Sequence, residues 1–317
     1  MRFFIQFCIT LVILLVLWIA LVYFQTGNPT QTSQWVADVY NKKTAIAQNI
    51  QTDKIVIVSG SNSLFGVDSQ LLSEKFQKPV INLGVNAGVY LPYILFHAKK
   101  VIKKGDTVLL PLEYSMYIYD GIPNTQMIDY IFSRDFEAFF SLSLREQFYM
   151  IWNINFERIY AGYSGYKNKT VQQGLYRVGH IDNYGDHIGA RKKNKSPAIQ
   201  KQLDGHSPNK YYEAFDTKSL GWKYIIAFDN WCKDIKARCV FLPPTMMYFE
   251  QYSHDEKQKK FFKEIKKTAL GYDLEFVGDM YDYMYPKEYY FNTDYHLSFE
   301  YRDIRTKQMI KDLSSVL

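Results

Sequence analysis

The segment Lys54-Ile55-Val56-Ile57-Val58-Ser59-Gly60-Ser61-Asn62 decides how the rest of the chain is read. An unbroken run of β-branched residues, with no polar alternation, suits a strand buried on both faces, and such strands belong to parallel sheets covered by helices on either side. The small polar residues that end it stand where open α/β sheets bind ligands, beyond the carboxyl ends of the strands.

Working outward, the same grammar repeats. A helix is predicted over 69–76, a second strand at Pro79-Val80-Ile81-Asn82-Leu83, a helix over 91–103 stopped by Gly105, and a third strand at 107–112. Later come a helix over 218–236, a fourth strand at Cys239-Val240-Phe241-Leu242, a helix over 255–267, a fifth strand at Leu274-Glu275-Phe276-Val277 and a closing helix over 299–315, with Ser298 placed to cap it. Strands alternating with helices at this spacing make βαβ units. The expected fold is therefore of the α/β class, a doubly wound, five-stranded parallel sheet of flavodoxin-like kind. Residues 115–217 break the alternation and are read as an insertion over the sheet's edge or mouth, with an aromatic, helical part at 129–160 and a Gly-, Asn- and Lys-rich part at 162–209.

At the other end, Phe3 to Phe24 carries no charge, and roughly 20 apolar residues cross a bilayer. A cleaved signal has a shorter apolar core, about 7–15 residues, and a small-x-small exit; here the exit is Val22-Tyr23-Phe24-Gln25. The expected domains are a transmembrane anchor at 1–24, a polar stalk at 25–52 and an α/β domain at 53–317. Arg2 precedes the run and Lys42 and Lys43 are the first positive charges after it, which favours a cytoplasmic N-terminus and puts the domain in the periplasm or cell exterior.

Composition excludes other classes. Of 317 residues, 47% are hydrophobic and 22% charged, which fits neither a polytopic membrane protein nor a disordered chain. The net charge of +6 is scattered through Lys-rich stretches such as 257–267, and without a basic stripe or reader motif it indicates solvated faces rather than nucleic-acid binding. Cys232 and Cys239 could pair or remain separate thiols; Cys8 lies in the anchor. There is no sign of a nucleotide, metal or flavin cofactor: His180, Asp182, Asp186 and His187 lack a ligand spacing.

The polar groups at the strand ends supply the parts of nucleophilic acyl transfer. A serine needs an adjacent base, and histidine suits the task; Asp294, two residues before His296, could hold the imidazole. Ser61 N–H, Gly84 N–H and the Asn86 amide are candidate donors for a tetrahedral oxyanion. Tyr281, Tyr283, Tyr285, Tyr289, Tyr290 and Phe291 precede this motif, to pack under the loop or to stack on sugar rings.

In these blocks the chain resembles the SGNH hydrolase superfamily, and more closely its membrane-anchored envelope branch of alginate O-acetylation and teichoic-acid D-alanylation proteins. The resemblance covers about residues 53–114 and 218–317. It implies Ser61 as nucleophile, Gly84 in the oxyanion hole, and Asp294 with His296 as the closing Asp-x-His motif. The family's Gly-Asp-Ser-Leu wording is absent, and Glu113-Tyr114 stands where its third block, Gly-x-Asn-Asp, would fall; these two join Asn86 as substrate-side candidates, although an ionised Glu113 only accepts hydrogen bonds. The resemblance further implies O-acetyl transfer on a cell-surface polysaccharide, with a multi-pass membrane acyltransferase as partner. The alternatives are an extracytoplasmic esterase or lipase, and a non-catalytic glycan-binding or scaffold protein.

Overall fold

A computed structural model describes the whole chain, residues 1–317. An exposed helix, α1 (Arg2–Phe24), and a packed one, α2 (Gln34–Asn49), precede the sheet. Then follow β1 (Ile55–Ile57), α3 (Ser61–Gly66), α4 (Ser69–Phe76), β2 (Val80–Asn82), α5 (Tyr90–Lys99) and β3 (Thr107–Leu110). The middle of the chain holds α6 (Tyr114–Tyr117), α7 (Thr125–Arg134), α8 (Leu144–Asn153), α9 (Phe156–Tyr163) and α10 (Pro197–Asp204). The last part runs α11 (Leu220–Asp234), β4 (Arg238–Phe241), β5 (Met246–Met247), α12 (Glu250–His254), α13 (Glu256–Gly271), β6 (Met284–Tyr285) and α14 (Arg302–Leu313).

Four parallel strands form the main sheet in the order β2-β1-β3-β4. Because side chains alternate along a strand, the apolar runs feed two cores. Ile55, Ile57, Val80, Leu109 and Val240 face Leu72 of α4 and Met309 and Leu313 of α14. Val56, Ile81, Val108, Leu110 and Phe241 face the larger core, to which α2, α5 and α11 contribute Val39, Ile94 and Ile225. Both faces are covered, as continuous apolar strands require.

The sequence expectation of a fifth strand is corrected. Residues 274–277 lie beside β4 and make the bonds Phe241 N–H to Glu275 O and Val277 N–H to Phe241 O, but only the single bridge Phe241 to Phe276 forms. The sheet therefore has four strands, with a separate parallel pair, β5 and β6.

The expected stalk is also different. Val36, Val39, Tyr40 and Ala47 of α2 are buried in the main core, and the segment before it is bolted to α7. Thr30 and Thr32 donate to the Asp129 carboxylate at 2.8 and 2.9 Å, and Arg134 donates to Ser33 Oγ at 2.8 Å. The inserted region likewise shares the core through Met127, Ile131, Met150 and Ile159. Cys232 and Cys239 are buried free thiols.

At the amino ends of β1 and β3 the Lys54 ammonium meets Asp106 at 2.6 Å, both side chains sealed from solvent. Asp106 also accepts from the Lys54 and Lys103 amides at 3.1 and 2.7 Å, so its charge is fully bonded. Removing one partner of such a pair strands the other charge in the interior, whereas replacing both by apolar groups does not. Asp106→Leu is expected to lower the unfolding free energy by about 3–5 kcal/mol, measured by urea denaturation, and Lys54→Met in the same chain is expected to recover only the part due to the stranded ammonium, since the Lys54 and Lys103 amides stay unmet. A single-variant loss within experimental error would show that the pair does not clamp the two strands.

Candidate functional site

The chain leaves β1, turns at Gly60 and enters α3 at Ser61. Gly60 is required because a Cβ there would lie 2.5 Å from Glu113 Oε1 and 2.7 Å from Ala87 Cα. A Cβ on Gly84 would lie 2.6 Å from Gly60 O. The segments that follow β1, β2 and β3 thus interlock at the carboxyl end of the sheet.

Glu113 is the centre of this junction. Its buried carboxylate accepts from the Gly60 and Asn62 amides, each at 3.0 Å, and burial raises its pKa against the lowering effect of those bonds. Asn62 in turn donates to Pro111 O at 2.9 Å and accepts two bonds from Arg305 of α14, at its carbonyl (2.8 Å) and side-chain oxygen (2.7 Å). Arg305 is itself buried, which lowers its pKa.

Between the two clamped amides stands Ser61, half-buried, its N–H and Oγ without a protein partner. Phe65 lies one turn further along the same face of α3, the i,i+4 relation, and the His296 ring stacks on it with centroids 4.1 Å apart. The His296 ring thus lies against the short helix that Ser61 opens, with no hydrogen bond joining the serine and the imidazole.

His296 is buried, which lowers its pKa to about 3, with His187 and His206 adding to the effect. Its Nδ1 is 2.8 Å from Asn292 Oδ1. Asn292 Nδ2 donates to Tyr176 Oη at 2.9 Å, so Oδ1 is the acceptor and the proton sits on Nδ1. Nε2, the atom a general base uses, makes no protein bond and is not sealed from solvent.

Asp294, expected to orient His296, does not touch it. The chain turns tightly between them, where His296 N–H bonds Thr293 O at 3.4 Å, so the two side chains diverge. Asp294 accepts from Asn209 Nδ2 at 2.7 Å and lies 3.9 Å from His206 Nδ1, and burial raises its pKa. Asn292 has the orienting position instead, four residues before the histidine in a loop whose polar residues the sequence displays.

The other expected residues divide. The Gly84 N–H is already bonded to Asn82 Oδ1 at 2.9 Å, which removes it as an oxyanion donor in this conformation. Gly84 O accepts from the buried Lys43 ammonium of α2, a contact the sequence did not signal; burial lowers the Lys43 pKa to about 7. Asn86 Oδ1 caps Gly88 N–H at 2.7 Å, leaving its Nδ2 free. Tyr114 is a core residue whose hydroxyl meets Met280 Sδ at 3.3 Å, so it is corrected from the substrate side. Of the tyrosine cluster, Tyr283, Tyr285, Tyr290 and Phe291 are buried and pack under the loop. Asp186 is engaged by Ser69 and Asn82, and His187 by Leu175 O.

Comparison with known proteins adds little to this geometry. No family model matches the chain, and no curated protein matches it. Among solved structures, it overlaps a protein of Streptococcus pneumonia provisionally described as a platelet activating factor, at 14% identity and a TM-score of 0.38, over 86% of this chain and 90% of the other. An overlap of that quality bears on neither the site nor its activity.

The depressed pKa of His296 has a thermodynamic consequence. Between its folded value of about 3 and the unfolded value of about 6.5, the unfolded state binds the proton and the folded state does not, so the contribution of the neutral ring is complete above that window and is lost as pH falls through it. The stability advantage of the native chain over His296→Asn is expected to narrow by about 1.4 kcal/mol per pH unit below pH 6.5, measured by urea denaturation at several pH values. A gap independent of pH would contradict the buried, neutral imidazole.

Proposed function

We propose that this chain is a membrane-anchored, SGNH-like serine acyl-transfer protein whose domain lies on the extracytoplasmic side and moves an acyl group, most simply acetyl, on a cell-surface polysaccharide. The observation that supports the reading is the unbonded Ser61 hydroxyl at the start of α3, the helix whose Phe65 stacks on His296. The apolar α1, long enough to cross a bilayer, supports the anchor.

In the proposed reaction Ser61 Oγ attacks the acyl carbonyl and His296 Nε2 takes its proton. Ser61 N–H and Asn86 Nδ2 face the oxyanion, the donor oxygen leaves with the proton from His296, and a sugar hydroxyl repeats the sequence in reverse on the acyl-serine. Asn292 holds the tautomer that leaves Nε2 free, the task an aspartate has in a Ser-His-Asp triad. A multi-pass membrane acyltransferase as acyl donor completes the proposal, from the resemblance alone.

A second reading, a non-catalytic glycan-binding protein, is favoured by two observations. Burial, with His187 and His206 adding to it, holds the His296 imidazole well below its ordinary pKa, which weakens it as a base, and the Gly84 amide is occupied.

Turnover of an aryl acetate, and of acetylated polysaccharide, by the full chain in detergent separates the two readings. Ser61→Ala is expected to abolish turnover and Asn292→Ala to reduce kcat by about 10²–10⁴, the range for a positioned base, while Asp294→Asn leaves kcat within a few-fold. Turnover unchanged in Ser61→Ala, or absent from the native chain, would favour the binding protein.

A further inference from the structure

The C-terminal part of α1 meets α8 and α9. Trp18, Val22 and Gln25, spaced one and two turns apart on a single face, are the positions of the segment that turn inward. Trp18 Nε1 donates to Ile151 O at 3.1 Å and its ring meets Phe156 edge-on at 5.6 Å. Tyr163 donates to Leu21 O at 3.2 Å, and Arg158 donates to the Gln25 side chain. Arg158 also pairs with Asp129 of α7 at 2.6 Å, which ties this corner to the core.

Beside these α1 contacts, which include Phe156 and Tyr163, the outer faces of the same two helices are apolar and largely exposed. On α8 the stripe is Leu144, Phe148 and Trp152; on α9 it is Phe156, Tyr160 and Tyr163, and all six side chains are at least half exposed. Their spacing is i, i+4, i+8 on one helix and i, i+4, i+7 on the other, so each presents one continuous ridge. The inner faces carry the packed residues Met150, Ile159 and Gly162. A continuous aromatic surface of this kind marks an interaction site.

What covers it follows from α1. Trp18 lies six residues inside the end of the apolar segment, and at about 1.5 Å per residue that is ~9 Å of helix. If α1 crosses the bilayer, its contact with α8 and α9 falls at the depth of the headgroups and upper acyl chains, the depth to which interfacial helices bury their apolar faces, about 5–10 Å. Trp and Tyr are the aromatics enriched there, and the exposed Lys167 and Lys169 follow α9 directly.

We propose that α8 and α9 form an interfacial platform that lies in the outer surface of the same phospholipid bilayer that α1 spans, and so fixes the height and tilt of the α/β domain over the membrane. The proposal rests on the reading of α1 as a membrane-spanning helix.

The test uses the full chain with Cys8→Ser, reconstituted in nanodiscs of phosphatidylcholine and phosphatidylglycerol. Cys232 and Cys239 are buried, so nitroxide labels are placed one at a time at Leu14→Cys, Phe148→Cys, Phe156→Cys and Leu270→Cys. Collision with oxygen, which partitions into lipid, is compared with collision with a water-soluble nickel chelate. The oxygen-to-nickel ratio at 148 and 156 is expected to exceed that at 270 several-fold and to approach that at 14. An aqueous ratio at 148 and 156 beside a lipid ratio at 14 overturns the platform and leaves the anchor standing. Aqueous ratios at 14, 148 and 156 overturn both. Shielding of 148 and 156 from both reagents means that protein covers the face, a second copy or a membrane partner, and also overturns it.

Discussion

The arrangement of this molecule depends on one buried carboxylate. Glu113, just past β3, binds the amides on either side of Ser61 and leaves the amide of Ser61 itself free. Two opposed grips then act on Asn62, Glu113 on its amide and Arg305 on its oxygens, so the first turn of α3 cannot shift without breaking bonds to two buried charges. Sealing such charges is costly, and the bonds of Glu113 and of the two terminal Arg305 nitrogens offset part of that cost, Arg305 Nε being left without a partner. From this follow the exposure of the Ser61 hydroxyl, the position of Phe65 one turn on, and the seat of the His296 ring.

The same junction is reached from the N-terminal helices. The segment after α1 is fastened to α7 through Asp129, α2 is packed into the main core, and Lys43 of α2 ends on the carbonyl of Gly84. No slack linker stands between α1 and the loops at the sheet's carboxyl end. The orientation of the site relative to α1 is therefore a property of the fold. For an enzyme acting on a polymer at a surface, that would set which part of the polymer is within reach.

Much of the scaffold was legible because burial on two faces demands uninterrupted apolar strands, as at Ile55–Ile57, and because helices must follow them. The fifth strand was not, since the pattern at 274–277 records burial and cannot report how many ladder bonds form. Trp35, Val36, Val39 and Tyr40 were visible in the sequence, yet their mixture with polar residues read as a stalk; the partners that bury them lie far along the chain. Ser61 and His296 were singled out by the strand-end rule and the family blocks. The pairing of Asp294 with His296 failed because spacing of two implies a common side only in extended backbone, and this chain turns at Thr293. Asn292 was missed because an amide has no charge to single it out, although its Nδ2 bond to Tyr176 is what assigns its oxygen to the histidine. Glu113 was placed on the substrate side as an acceptor; it is instead buried on two backbone amides, partners invisible to any side-chain motif.

The central claim is that Ser61 is a nucleophile served by His296 and not by Asp294. The most direct measurement is covalent labelling of the full chain by a fluorophosphonate, with the modified residue located by peptide mass spectrometry in the native protein, His296→Ala and Asp294→Asn. The account predicts phosphonylation at Ser61 in the native chain and in Asp294→Asn, and its loss in His296→Ala. An unlabelled Ser61, or equal labelling in His296→Ala, would contradict it.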